Sequence, residues 1–202
     1  MRWPRFVTRR VGDAMLVAQE TLTDWASVGA DSRRATRFGA FGAGSLLRYP
    51  LGAVYNERYI RIGRGTLIGP DVALAAGMLP GQEMVSDPVI TIGDRCLIGR
   101  GSGIVGHLSI EIGDDVYTGH YVYITDQNHG YDRTDVPISR QTQPERPVVI
   151  GAGSWIGHGT VVLPGARIGK GCVIGANSVV AGTIPDHSIA VGAPAKVVRT
   201  IR

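Results

Sequence analysis

An aliphatic residue followed by glycine returns every sixth position through most of this 202-residue chain. Ile62-Gly63, Ile68-Gly69 and Leu74-Ala75 form one run; Ile92-Gly93, Ile98-Gly99 and Ile104 a second; Ile112-Gly113, Thr118-Gly119 and Ile124 a third. Ile150-Gly151, Ile156-Gly157, Val162, Ile168-Gly169, Ile174-Gly175 and Val180 form the longest. A period of six is neither the 3.6 of a helix nor the 2 of a plain strand, so it marks a supersecondary unit repeated in space. Four residues after each anchor stands another small or apolar residue: Thr66, Val72, Cys96, Ser102, Val116, Val122, Ser154, Thr160, Ala166, Cys172 and Ser178. Anchor and anchor-plus-four therefore both point inward, and the glycines serve turns between short strands. Three hexads make a triangular coil of about 18 residues, and stacked coils make an all-β parallel β-helix.

The 29 glycines are about twice the usual share of roughly 7%, as a turn every six residues requires. No run of 18 apolar residues and no signal-peptide pattern is found, and the expected compartment is the cytoplasm. Cys96 and Cys172 fall on inward positions several coils apart, and read as small core residues rather than a disulfide or metal pair.

Charge is uneven. Residues 1–37 carry seven arginines against four acids, +3 of the total +4. Val11, Met15, Ala18, Leu22 and Trp25 recur at helical spacing, which predicts an amphipathic helix over about 11–29. The chain thus divides into a basic helical segment, 1–37, and a repeat domain, 38–202, whose first coil, 38–59, is degenerate. The helix is expected to pack on the prism and cap its open end. The sharper alternative is contact with a membrane surface through residues 1–29, with Trp3, Phe6 and Trp25 beside a basic face. No nucleic-acid motif is found.

Two interruptions, 80–91 and 130–147, break the rhythm. Insertions in a solenoid leave from corners and gather on the binding face. The second follows Thr125-Asp126-Gln127-Asn128-His129-Gly130-Tyr131. Counted from Ile124, Asn128 takes the inward position, which puts His129 at the corner where the chain departs. An imidazole there has two readings: a general base titrating near neutrality, or a turn histidine bonded to nearby backbone.

The repeats, the stretch Ile112 to His129, Pro147-Val148-Val149-Ile150-Gly151, Trp155-Ile156-Gly157, Ile174-Gly175-Ala176-Asn177-Ser178 and Val191-Gly192-Ala193-Pro194-Ala195-Lys196 together resemble the hexapeptide-repeat acyltransferases, closest in pattern to galactoside, maltose and polysaccharide O-acetyltransferases. The resemblance implies a left-handed prism, a homotrimer, and transfer of an acetyl or other short acyl group, such as succinyl, from acyl-CoA to a hydroxyl of a saccharide, polysaccharide or glycolipid precursor. It makes His129 the base and Asp126 the candidate that orients it, with no metal required. It carries CoA contacts onto His158, Ala176, Ala181, Gly182, Pro194 and Lys196. Ala181-Gly182 stands where the family commonly has Thr-Lys, so Lys196, Arg199 or Arg167 is left to meet the nucleotide phosphates. The family's acceptor-site asparagine is absent around Arg100 to Ile104, which points away from galactoside and maltose as acceptors. Oxyanion donors are expected near Gly157 and His158, and Trp155 is a candidate wall of the pantetheine channel. His120, Tyr131, Arg133, Arg140 and Gln141 are candidates for acceptor contacts; Asp132 belongs to the same loop.

Two other classes compete. Gly119-His120 resembles part of the zinc site of gamma-class carbonic anhydrases, with His107 a loose third ligand, but Thr125 stands where the next histidine is needed. A prism that has lost its chemistry needs neither His129 nor the loop above it.

Overall fold

The computed structural model describes residues 5–202. Trp3 lies outside them, as does the side chain of Phe6.

Three parallel β-faces enclose a triangular interior, and successive strands step from one face to the next. The first face begins with Leu46–Leu47, Leu67–Ile68 and Leu97–Ile98, and continues through Tyr117–Thr118, Trp155–Ile156 and Val173–Ile174. The second runs Val54–Tyr55, Ala73–Ala76, Gly103–Gly106, Tyr123–Thr125, Val161–Val162 and Val179–Val180. The third runs from Ala40–Phe41 through Ile60–Ile62, Ile90–Ile92, Ile110–Ile112 and Val148–Ile150 to Arg167–Ile168 and Thr183–Ile184. The segment 38–59 is therefore a coil in its own right, with one strand on each face. Lys196–Thr200 closes the first face by pairing antiparallel with Ser188–Val191.

Every residue of the anchor-plus-four series from Thr66 to Ser178 is buried, whereas Asn128, counted from Ile124, is exposed. The polar ones link successive coils: Ser45 Oγ donates to the Gly63 carbonyl at 2.6 Å and accepts the Thr66 N–H at 2.9 Å. Thr66 does the same one coil later with Gly93 and Cys96, and Ser154 with Gly169 and Cys172. A small hydroxyl at a corner thus satisfies a buried donor and acceptor that an aliphatic side chain would leave unpaired. Burial pushes the Cys96 thiol above its ordinary pKa, in keeping with a packing role.

The faces differ outside. On the first, Leu46, Leu67, Leu97, Tyr117, Trp155, Val173 and Ile189 stand in register, an apolar ladder running the length of the prism. The third presents Arg61, Thr91, Glu111, Val149, Arg167 and Thr183 at the equivalent places.

The N-terminal helix, α1, spans Arg5–Ala26 rather than 11–29, because Val28–Gly29 pairs antiparallel with Leu46–Leu47. It does not cap the prism. Val11, Met15, Leu22 and Trp25 are all more than half exposed, whereas Val28, Ala35 and Phe38 are buried and close the open end. The boundary expected at residue 37 therefore falls inside the packed body.

Candidate functional site

The corner between the second and third faces carries both insertions, 77–89 and 126–147. The chain leaves the prism at Asp126, not at Asn128, which is exposed. Asp126 is fully buried, and its carboxylate reaches back one coil. Oδ1 accepts the His107 N–H at 2.8 Å, while Oδ2 accepts those of Leu108 at 2.8 Å and Ser109 at 2.7 Å. Three backbone N–H donors meet this one side chain, so both of its buried oxygens are paired. The side-chain hydrogen bonds of Asp126 go to these three backbone N–H groups and none goes to His129.

The roots of the 126–147 loop are zipped together. Arg146 N–H donates to the Asp126 carbonyl at 2.8 Å and Asn128 N–H to that of Pro144 at 3.1 Å, around an antiparallel bridge between Gln127 and Glu145. His129 emerges from this base with an exposed ring whose Nδ1 lies 3.3 Å from Gln143 Nε2. Among the described residues Gln143 is the only side chain hydrogen-bonded to the ring, while Asn128 Oδ1 accepts the His129 backbone N–H at 3.0 Å.

His129 borders a groove of about 370 Å³ walled by Tyr55, Met78, Val105, Tyr123 and Leu163. His107, buried, lines the same groove, with Nδ1 3.7 Å from Glu145 Oε1. Glu145 also accepts from Gln127 Nε2 at 3.2 Å. On the far side of His129 a hollow of about 120 Å³ is lined by Tyr131, Asp132, Arg146 and Pro164. Farther along this corner, Ala181, Gly182, Pro194 and Lys196 line a third groove of about 350 Å³.

The other expected donor contacts lie across the second face. His158 and His120 occupy successive turns from the first face to the second, their ring centroids 6.3 Å apart. Ala176 follows on the same corner, so close that a side chain on Gly157 would meet its backbone nitrogen at 2.5 Å. Tyr121, between them, packs edge-on against His158 at 5.6 Å and holds φ at 57°, a strained value for an aromatic residue. His120 therefore stands with His158, not in the groove of His129, because it turns the neighbouring corner. Gly157 N–H donates to the Ile174 carbonyl at 2.8 Å.

Loop candidates divide likewise. Tyr131 is open to solvent beside His129, and Arg140 is exposed on the short 3₁₀ turn Ile138–Arg140. Gln141 is a staple: its Oε1 accepts the Arg133 N–H at 3.1 Å and its Nε2 donates to the Arg133 and Val136 carbonyls. Arg133 is paired with Asp135, whose carboxyl it holds below the usual range. Gln141 is thus spent on the loop's own backbone. His107, Gln143 and Glu145 were not singled out for this groove. The spacing of eight from Ile104 to Ile112, where six is the rule, does mark the two-residue corner extension that carries His107.

Among the described residues no three His, Cys, Asp or Glu side chains cluster as a metal site, and no helix is long and apolar enough to cross a membrane. His107 and His120 stand on different corners.

Residues 147–182 match the bacterial transferase hexapeptide family (six repeats), and residues 89–125 match the hexapeptide repeat of succinyl-transferase. The chain is 48% identical over 110 residues to a probable acetyltransferase of Mycobacterium tuberculosis, covering 54% of this chain and 37% of that protein. It is 38% identical over 140 residues to a galactoside O-acetyltransferase of Lactococcus lactis, covering 59% of this chain and 67% of that protein. The fold is similar to that of AntD, an N-acyltransferase from Bacillus cereus in complex with dTDP and 3-hydroxybutyryl-CoA: TM-score 0.69, 20% identity, 84% of this chain and 86% of that one. The chain spans only about a third of the mycobacterial protein.

Proposed function

This chain belongs to the family of hexapeptide-repeat acyltransferases, and from that premise we propose that it moves an acetyl or other short acyl group from CoA to a hydroxyl of a saccharide, polysaccharide or glycolipid precursor. The observation that carries this reading is the exposed imidazole of His129 on the rim of a 370 Å³ groove, at the corner where the chain leaves the prism. An acceptor in the groove offers its hydroxyl to the ring, the imidazole takes the proton, and the oxygen attacks the thioester carbonyl. The tetrahedral intermediate expels the CoA thiolate, which takes the proton back from the imidazolium. A side-chain amide can turn its oxygen toward a ring; Gln143 in that orientation accepts Nδ1–H and leaves the Nε2 lone pair free.

His107 and Glu145 offer polar contacts to the acceptor inside the groove, with Tyr131 and Arg140 at its outer edge. Two sets of residues flanking the second face serve the donor: His158 with Ala176 on one edge, and Ala181, Gly182, Pro194 and Lys196 on the other. A donor channel shared between copies in a homotrimer brings such edges together, and the apolar ladder on the first face is the surface that supports self-association. The winding is left-handed and the compartment cytoplasmic in this reading, and no metal takes part. The carbonic anhydrase alternative loses support, since His107 and His120 do not converge.

The test is His129→Ala with a panel of acyl-CoA thioesters and mass spectrometry of acylated glycans. Turnover falls by roughly 10²–10⁴ with folding unchanged, and a variant within threefold of wild type overturns the assignment.

A further inference from the structure

Among the described residues α1 carries a run of exposed large apolar side chains, four of them in one seam: Val11, Met15, Leu22 and Trp25. Val11, Met15, Ala18, Leu22 and Trp25 follow one another at spacings of four, three, four and three, the a/d rhythm of helices that pack on helices. Met15, Leu22 and Trp25 are 68%, 62% and 80% exposed, while the anchors of the prism are buried. Positions flanking the seam carry no charge: Gly12, Ala14, Gln19 and Thr21. Charged residues gather opposite, as Arg9, Arg10, Asp13, Glu20 and Asp24, together with Leu16 and Val17.

That distribution separates two possible partners. A helix lying on anionic lipid carries an excess of Lys and Arg on its polar face. Over Arg5–Ala26 there are three arginines, Arg5, Arg9 and Arg10, against Asp13, Glu20 and Asp24, a balance of zero with no lysine at all. The seam is suited instead to an uncharged apolar strip of the same shape, which another copy of the chain supplies. The C-terminal end of the helix is also tied to the prism. Asp24 pairs with Arg48 at 3.4 Å, Ser27 Oγ accepts the Tyr49 N–H at 3.0 Å, and Val28–Gly29 pairs with Leu46–Leu47, the first rung of the apolar ladder. The helix therefore ends where that ladder starts. Copies related by a rotation axis along the first face bring their helices together as equivalents.

We propose that α1 is an assembly element, whose Val11–Met15–Ala18–Leu22–Trp25 seam packs on the same seam of further copies of this chain; the inference rests on the self-association advanced above. Both native cysteines are buried, so single introduced cysteines report cleanly. Met15→Cys lies in the seam and Glu20→Cys on the charged side. With a short bismaleimide cross-linker, Met15→Cys should link most chains into covalent oligomers, and Glu20→Cys fewer than a tenth as many. Equal linking at both sites, or none at Met15, overturns the proposal. So does flotation of the wild type with phosphatidylglycerol vesicles that Leu22→Arg abolishes, accompanied by no Met15 linking; that result assigns the seam to lipid. Light scattering of the wild type separates the two readings: a monomer removes both, whereas an oligomer without seam linking removes this one alone. None of these readouts depends on turnover.

Discussion

Asp126 Oδ1 accepts the backbone N–H of His107 at 2.8 Å, and that bond joins two successive coils at the base of the candidate site. His107 lies inside the groove, and Asp126 roots the loop that three residues later delivers His129. One buried carboxylate thereby ties the corner that carries His107 to the root of the loop that carries His129.

Removing that carboxylate should be costly. Asp126→Ala leaves three backbone N–H donors unpaired, one buried and two half-buried, a loss of about 3–5 kcal/mol. Asp126→Asn keeps an acceptor and loses less. Urea denaturation of the two variants checks the order; equal stability of Asp126→Ala and wild type refutes the strut.

Gln143 predicts a milder effect, on catalysis rather than folding. As the side-chain neighbour of His129 Nδ1, it sets ring direction. Gln143→Ala should lower kcat by about tenfold, less than the roughly 10²–10⁴ expected on loss of a general base, and leave KM for the acyl donor within twofold. Steady-state kinetics across pH 5–9 resolve it, since a purely structural residue would leave the imidazole's limb of the profile unmoved.

On the first face, Trp155 stands outward in register with Tyr117 and Val173. Trp155→Glu sets a charge in the middle of the apolar ladder and should shift the oligomer toward monomer at micromolar concentration. Light scattering reads the mass; an unchanged mass moves the subunit contact to another face.

Gly119 sits where two coils touch. A methyl there would lie 2.6 Å from the His158 backbone nitrogen, which cannot yield as a side chain can. Gly119→Ala should destabilise by about 1–3 kcal/mol, read as a fall in thermal midpoint.

How much of this was legible depended on whether the determinant was periodic. Thr66, Cys96, Ser154 and the other inward residues could be placed by counting, because a corner repeats every six residues and its geometry is local. Counting failed at Asn128, since the rhythm carries on past the point where the chain has already turned away at Asp126. That turn is decided by a partner 19 residues earlier in sequence, which no spacing rule reports. The grouping of His120 with His158 followed from which corner each one turns. For α1 the stripe from Val11 to Trp25 was plain, but a stripe states only that a face is apolar. The buried positions of Val28, Ala35 and Phe38, which already close the prism, leave the helix without that task.

The reversal of the last strand bears on how copies behave in a crowded solution. A stack of parallel coils ends in an open edge whose free N–H and C=O groups could template the first coil of another molecule, and repetition of that step would build a fibre. Lys196–Thr200 runs antiparallel to Ser188–Val191, so an incoming coil meets a strand of the opposite polarity, bearing Lys196 and Arg199. On the first face the reversed strand changes the polarity and the charge that such a coil would meet.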